Sequence, residues 1–479
     1  MRAFATTTEL MPHQGKAVDK VLPTRVGALF MDMGTGKTRT AFELATQRQG
    51  KFDHVVYFCP VSLKETVRRE ILKHTDCTAD DVCVFGDRTN ERNLPAASWY
   101  IIGIESMSSS ARVVLAAGKL ITTRTFIILD ESSYIKGAYS MRTLRITRLA
   151  EKARYRLILT GTPLSQGVVD LFAQMRFLSP KILGYNSFYS FAANHLEYSE
   201  KYPGMIVRSH NTKYLAAKVQ PYVYQVTKEE CLDLPPKLYT TRYFYMTMEQ
   251  RHYYELAKDE IINSLQDDDI DSIVIFRLFS VLQQIVCGYW NRRVEREQGK
   301  FRNFEKLEFE SNRLDNLIDV ILGLPAGEQV IIWTKYRYTL NAIAETLTTQ
   351  FGAENVAVFH GGLKERQRTE QEDRFHAGAR FFVGTPQSGG HGLTLNEARY
   401  VIFYDNGFKY SERLQAEDRN HRIGQGYPVT YIDLQCTDSI DDRIAAALAK
   451  KGNVVAAFKV EVDRVKDKKG GLKKLIKSL

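Results

Sequence analysis

An α/β architecture of two tandem parallel-sheet domains with helical insertions is what this sequence predicts, on three observations. The chain has 479 residues, more than one hydrophobic core serves, so two or three domains are expected. Short β-branched apolar runs alternate with helix-like stretches in both halves, as in parallel sheets buried on both faces. A Gly-Lys-Thr turn stands in the first half and the second set of runs has none, so a nucleotide cleft between the two sheets is expected. The apolar content of 44% and charged content of 25% fit a globular protein.

In chain order, residues 28–30 read as a buried strand and residues 39–45 as a helix. Between them, residues 33–38 spell MGTGKT. Glycines let the backbone curl so that N–H groups face inward, and the helix N-terminus adds unpaired donors and a positive dipole. Gly34, Thr35 and Gly36 would cradle the phosphates of ATP, Lys37 would reach the β- and γ-phosphates, and the Thr38 hydroxyl would ligate Mg2+. The turn is a shortened one, since the GxxxxGKT pattern asks for glycine where Met31 stands. A capping turn with an exposed lysine would fit the same string. The run TFIILDES, residues 125–132, decides between them: it ends in Asp130-Glu131, at the strand edge where ligands bind in such sheets. Asp130 is expected in the metal shell, and Glu131 is expected to position and deprotonate the attacking water. Residues 54–60 (HVVYFCP) and 155–163 (YRLILTGTP) add two strands, the second ending in Thr160, Gly161 and Thr162, whose hydroxyls could bond across the sheet edge.

Residues 225–320 carry helical periodicity broken by the acidic turn DDDIDS, and NRRVEREQGKFRN, 291–303, reads as a solvent-facing loop. Strand signals resume at 329–335, 355–361, 379–386 and 398–405. Within 411–425, Arg419 and Arg422 lie three apart, so a helix would present both on one face, as cations for the γ-phosphate. In isolation such a pair would equally mark a basic surface helix. The expected divisions are an ATP-binding domain 1–225, helical extensions 226–320, a second domain 321–450 and a basic tail 451–479. In that tail Leu472, Leu475, Ile476 and Leu479 share one helical face, which fits packing, a frayed basic end or a nucleic-acid contact.

The formal charge of +10 favours a polyanionic partner. Cysteines 59, 77, 83, 231, 287 and 436 form no CxxC pair, which points to a reducing compartment without a zinc site. No signal-peptide core and no apolar run of about 18 residues occurs, so an intracellular protein with no membrane partner is expected.

Over residues 9–447 the chain resembles superfamily 2 helicases, and among them the Swi/Snf-type double-stranded DNA translocases. The carrying strings are LMPHQ (10–14), MGTGKT, CPVSLKETVRRE (59–70), DESS (130–133), TGTPLSQ (160–166), FHGG (359–362), TPQSGGHGLTL (385–395) and QAEDRNHRIGQ (415–425). The resemblance implies two RecA-like domains, ATP and Mg2+ as cofactors, and Gln14 at the adenine base. It places Lys64, Thr385, Gly389, Gly390 and Gly392 on a DNA backbone, and gives Thr160, Gly161, Thr162 and Gln415 coupling roles. It further implies a small bacterial or viral enzyme, a monomeric motor in the cytoplasm of a bacterial or infected host cell, hydrolysing ATP on double-stranded or branched DNA. Two departures concern coupling: Ser133 stands where the family has a histidine that links the ATP site to the TGTP motif, and TPLSQ replaces TPLQN. The alternatives are a helicase that separates strands or remodels forks, with Tyr289-Trp290 as its wedge, and a non-catalytic ATP-gated binding protein.

Overall fold

The computed structural model describes residues 3–164, 167–198, 206–264, 272–294, 303–387, 393–465 and 471–479. The chain folds into two units, Met1–Asp233 and Leu234–Leu479.

In the first unit the strands are β1 (Val26–Met31), β2 (His54–Cys59), β3 (Val82–Val84), β4 (Trp99–Gly103), β5 (Thr125–Leu129) and β6 (Tyr155–Thr160). A two-stranded ribbon of β7 (Leu196–Tyr198) and β8 (Ile206–Ser209) and a final strand, β9 (Val223–Val226), complete them. The main sheet runs β3-β4-β2-β5-β6-β1-β9, and its neighbours pair in parallel. Strands β1, β2 and β5 are buried along their whole length, which is why their sequences are apolar without alternation. Successive residues of β2 feed opposite layers: Val56 and Phe58 enter one apolar cluster, Val55, Tyr57 and Cys59 the other. Because β6 lies between β1 and β5, the turn after β6 falls between the Gly-Lys-Thr turn and the acidic pair.

The second unit contains β10 (Lys237–Phe244), a hairpin of β11 (Tyr289–Val294) and β12 (Asn303–Glu308), then β13 (Val330–Trp333), β14 (Val356–Phe359), β15 (Phe381–Gly384), β16 (Tyr400–Phe403) and β17 (Val429–Cys436). Its parallel sheet runs β10-β17-β16-β13-β15-β14. The helices Met248–Ser264 and Ser272–Val286 belong to this unit, since Tyr254, Leu278, Phe279 and Leu282 enter the same core as Ile332 and Val383.

The expected loop at 291–303 is corrected. Its described ends are antiparallel strands in register from Tyr289 opposite Glu308 to Val294 opposite Asn303. The hairpin starts inside the core: Tyr289 and Trp290 are buried, and the Tyr289 ring packs 4.2 Å from that of Tyr338. Gly288 makes the turn into it at φ +89°, a conformation that suits glycine, and a Cβ there would meet Ser311 Cβ at 3.0 Å. The burial of Tyr289 and Trp290 also removes them as an exposed wedge.

At the end of the chain, the helix Gly471–Lys477 docks on this unit. Leu472, Ile476 and Leu479 are buried in its core, and the Tyr254 hydroxyl donates to the Leu479 carbonyl over 3.0 Å. Lys473, Lys474 and Lys477 face outward. Among the described residues, no helix is long and apolar enough to cross a membrane.

Candidate active site

Strand β1 delivers the chain into the glycine turn, where Gly34 and Gly36 hold φ of +81° and +83°. Gly36 is also the N-cap of the helix Lys37–Gln47, whose first amides take no capping side chain. They are thus the donors that a phosphate group would use. Gly36 is required twice over: besides its φ, a Cβ would lie 2.0 Å from Gln14 Nε2. Gln14 is buried on the helix Pro12–Val21, donates to the Thr35 carbonyl over 3.3 Å and accepts from Met11 N–H. His13 makes a second bond to that carbonyl, at 2.8 Å. The residue expected at the adenine base therefore also braces the turn. Lys37 folds over the loop, its ammonium donating to the carbonyls of Met31 (2.8 Å) and Asp32 (3.0 Å).

Across the sheet, Asp130 and Glu131 follow β5 and are both buried. The Asp130 carboxylate accepts from Glu131 N–H over 2.9 Å and from the Tyr57 hydroxyl of β2 over 2.9 Å. Tyr57 also meets the Thr38 hydroxyl. Burial first, and then the Asp130 charge, hold the Tyr57 phenol well above its ordinary range, so it stays a donor. Burial likewise pushes the Asp130 carboxyl up, opposed by the Lys37 charge and by the bonds from Tyr57 and Glu131. Thr38 and Asp130 thus offer a hydroxyl and a carboxylate around one phenol, hard oxygen donors of the kind that Mg2+ takes, and the residues fit that ion. Glu131 sits in the left-handed region, at φ 47° and ψ 57°, which costs a residue with a side chain about 1–3 kcal/mol.

The turn after β6 closes this edge. Gly161 lies against the glycine turn, since a Cβ on it would be 3.2 Å from Met33 N and 3.4 Å from Met31 O. The Thr160 hydroxyl accepts from Thr162 N–H over 3.1 Å, a local bond rather than one across the sheet edge. Nearby, the Ser132 hydroxyl donates to Gln174 Oε1, and Gln174 Nε2 donates to the Pro163 carbonyl. Lys64, expected on DNA, opens the helix Lys64–His74 and donates to the Phe85 carbonyl over 2.7 Å.

In the second unit the helical placement of the arginine pair is corrected. The helix Tyr410–Glu417 carries Gln415 and stops before Arg419. Beyond it, Asn420 donates to the Ala398 carbonyl, and Gln425 donates to the carbonyls of Asn396 and Asn420. These bonds pull the chain into a turn-rich segment that ends at Gly424, φ +97°. Arg419 is buried there, and Arg422 donates to the Leu393 carbonyl over 3.2 Å. The helix itself is pinned by Arg413, which pairs with Glu417 over 2.8 Å and with Asp433, while Lys237 meets Glu417 over 2.9 Å. Thr385 follows β15 and its amide donates to the Phe359 carbonyl; Gly389, Gly390 and Gly392 lie outside the described residues. Sequence reasoning missed Tyr57, Ser132, Gln174 and Arg413. A polar residue inside an otherwise apolar run is the one signal that Tyr57 gave.

Known proteins are similar to this chain. The ISWI chromatin-remodeling complex ATPase ISW2 of Saccharomyces cerevisiae is 26% identical over 452 residues, 89% of this chain and 38% of that protein. The ATP-dependent helicase fft1 of Schizosaccharomyces pombe is 24% identical over 401 residues, 74% of this chain and 41% of that protein. The chain thus spans less than half the length of these relatives. A solved structure, the Sulfolobus solfataricus SWI2/SNF2 ATPase core in complex with dsDNA, aligns over 98% of both chains at 21% identity, with a TM-score of 0.43. The helicase conserved C-terminal domain matches residues 312–424. The SNF2-related domain matches residues 19–288, more than half of the chain and all of the glycine turn and acidic pair, and the protein belongs to that family.

Proposed function

We propose that the chain is an ATP-driven motor that couples hydrolysis to movement along double-stranded DNA. The observation that carries this reading is the convergence of Lys37, Thr38, Asp130 and Glu131 on one sheet edge, with Tyr57 between two of them. The amides that open the helix Lys37–Gln47 bind phosphate, and Lys37 exchanges its two carbonyl partners for phosphate oxygens. Thr38 and Asp130 hold Mg2+, which neutralises phosphate charge when bound. Glu131 takes the proton of the attacking water. Arg419 and Arg422 supply the cations for the transition state. DNA as the track is supported by the net charge of +10, and by relatives whose names are those of a helicase and a chromatin-remodelling ATPase. Strand separation has no exposed wedge at Tyr289-Trp290 to favour it.

The test is ATP turnover measured without nucleic acid and with single-stranded DNA, duplex DNA, branched DNA and RNA, beside a labelled-strand displacement assay. Stimulation greatest with duplex and no strand release is expected. Absence of duplex stimulation, or equal stimulation by RNA, would overturn the reading. Lys37→Ala serves as the control, with turnover lowered by about 100-fold or more.

A further inference from the structure

We propose that Gln174 is a positioning residue that ties the acidic loop to the turn after β6, so that movement at Glu131 on nucleotide binding is carried to residues 161–163. The inference rests on the nucleotide reading of the site and concerns how its state is transmitted.

Gln174 lies on the helix Val169–Leu178 and is fully buried, as is Ser132. Its amide is used on both sides. Oε1 accepts from the Ser132 hydroxyl over 2.6 Å, and Nε2 donates to the Pro163 carbonyl and to the Asp170 carbonyl, each over 2.9 Å. One side chain thus joins the residue next to Glu131 to the turn that follows β6, across 42 positions of sequence on one side and 11 on the other. An alanine and a leucine would fill these places without demanding hydrogen bonds, so packing alone gives no reason for the polar pair.

Both ends of the link lie at the candidate site. Glu131 is held in the left-handed region, a backbone conformation that costs a residue with a side chain. At the other end, Gly161 touches the backbone of the glycine turn at Met31 and Met33. The turn after β6 is therefore gripped by the phosphate-binding loop on one side and by the Gln174 amide on the other. In close-packed surroundings a shift of the acidic loop cannot be absorbed locally. It passes through Ser132 and Gln174 to Pro163. Residue 133, where the resembling family has a histidine, is a serine here, and the Ser132–Gln174 bond spans the same two loops by another route.

The experiment is amide hydrogen exchange, followed by mass spectrometry, on the full chain with and without the non-hydrolysable analogue AMP-PNP and MgCl2. The wild type is compared with Ser132→Ala and with the double variant Ser132→Ala/Gln174→Leu. The double variant removes the Ser132 hydroxyl and the Gln174 amide together, while the Pro163 and Asp170 carbonyls lose the Gln174 donor, so it is expected to melt below wild type but to remain folded. In the wild type the analogue is expected to slow exchange at residues 34–38 and also at 160–164. The double variant keeps the first response and loses the second, and Ser132→Ala alone, the smallest change, does the same. No protection at 34–38 in the wild type overturns the nucleotide reading, and this inference with it. Protection at 34–38 with 160–164 unchanged, or a response at 160–164 that survives in both variants, overturns the inference alone.

Discussion

The Tyr57 hydroxyl donates to Asp130 Oδ2 over 2.9 Å, from the strand next to the one that presents the carboxylate. The other oxygen accepts from Glu131 N–H, so the two bonds together hold the carboxylate in one orientation. Tyr57→Phe removes a hydroxyl and nothing else. A hydrogen bond to a charged group contributes about 1.5–3 kcal/mol, so the Mg2+ concentration for half-maximal turnover is expected to rise about tenfold or more. Saturating Mg2+ should restore most of the rate. A Mg2+ titration of turnover on the two proteins checks this, and superimposable curves would refute it.

Glu131 combines an acid's position with a glycine's backbone. Glu131→Gln keeps size and hydrogen bonding but cannot take a proton, so nucleotide binding should persist while turnover drops about 100-fold or more. Glu131→Gly is equally inactive yet relieves the left-handed strain. It should therefore unfold about 1 kcal/mol later than Glu131→Gln in urea. Equal stability of the two would mean that the φ of 47° carries no cost.

Much of the fold could be read in the sequence, because a strand buried on both faces must be a continuous apolar run. Strands β1, β2, β5 and β6 and the four from β13 to β16 all have that form. Strand β10 does not: it is an edge strand with Tyr239 and Tyr243 exposed, so KLYTTRYF offers no such run. The glycine turn and the acidic pair were legible because their chemistry needs those residue types in sequence neighbours. Arg419 and Arg422 were placed on a helix because an i, i+3 spacing cannot reveal that Asn420 and Gln425 bond carbonyls near residue 398. Tyr57 and Gln174 were invisible for a similar reason. Their partners lie 73 and 42 positions away, and only folding brings them together.

A pH dependence follows from Lys335 in the second unit. Its ammonium sits 3.2 Å from the centroid of the Phe408 ring and donates to Gln283 Oε1 over 3.2 Å. Burial lowers it to about 8, against the opposing pull of Asp405. An unfolded lysine titrates near about 10.4, so between roughly pH 8 and 10 the unfolded chain binds more protons than the folded one. Stability from this group therefore rises with pH across that window and is lost as pH falls through about 8. Lys335→Met lacks the group. Urea unfolding at stepped pH should show the wild type gaining on the variant, by at most about 1.4 kcal/mol per pH unit. Parallel curves would place the ammonium in water.

The tail offers a choice between packing and a nucleic-acid contact, and the structure favours packing. Leu472, Ile476 and Leu479 are buried in the second unit, while the Tyr254 hydroxyl and the Lys258 ammonium hold the carbonyls of Leu479 and Lys477. Burying an aliphatic side chain contributes about 1.5–3 kcal/mol, so removing residues 466–479 should destabilise the second unit by about 4 kcal/mol or more. Because the three lysines of the last helix point outward, Lys473→Gln/Lys474→Gln/Lys477→Gln should leave the melting temperature unchanged. A packing element also predicts that this triple variant keeps the wild-type slope of log affinity against log salt on duplex DNA of fixed length. Each lysine that contacted a phosphate would instead flatten the slope by about 0.9. The salt series is needed because affinity at one ionic strength mixes the charge effect with every other contact. A slope flattened by two or more steps, with melting intact, would move the tail from the core of the second unit to the DNA track.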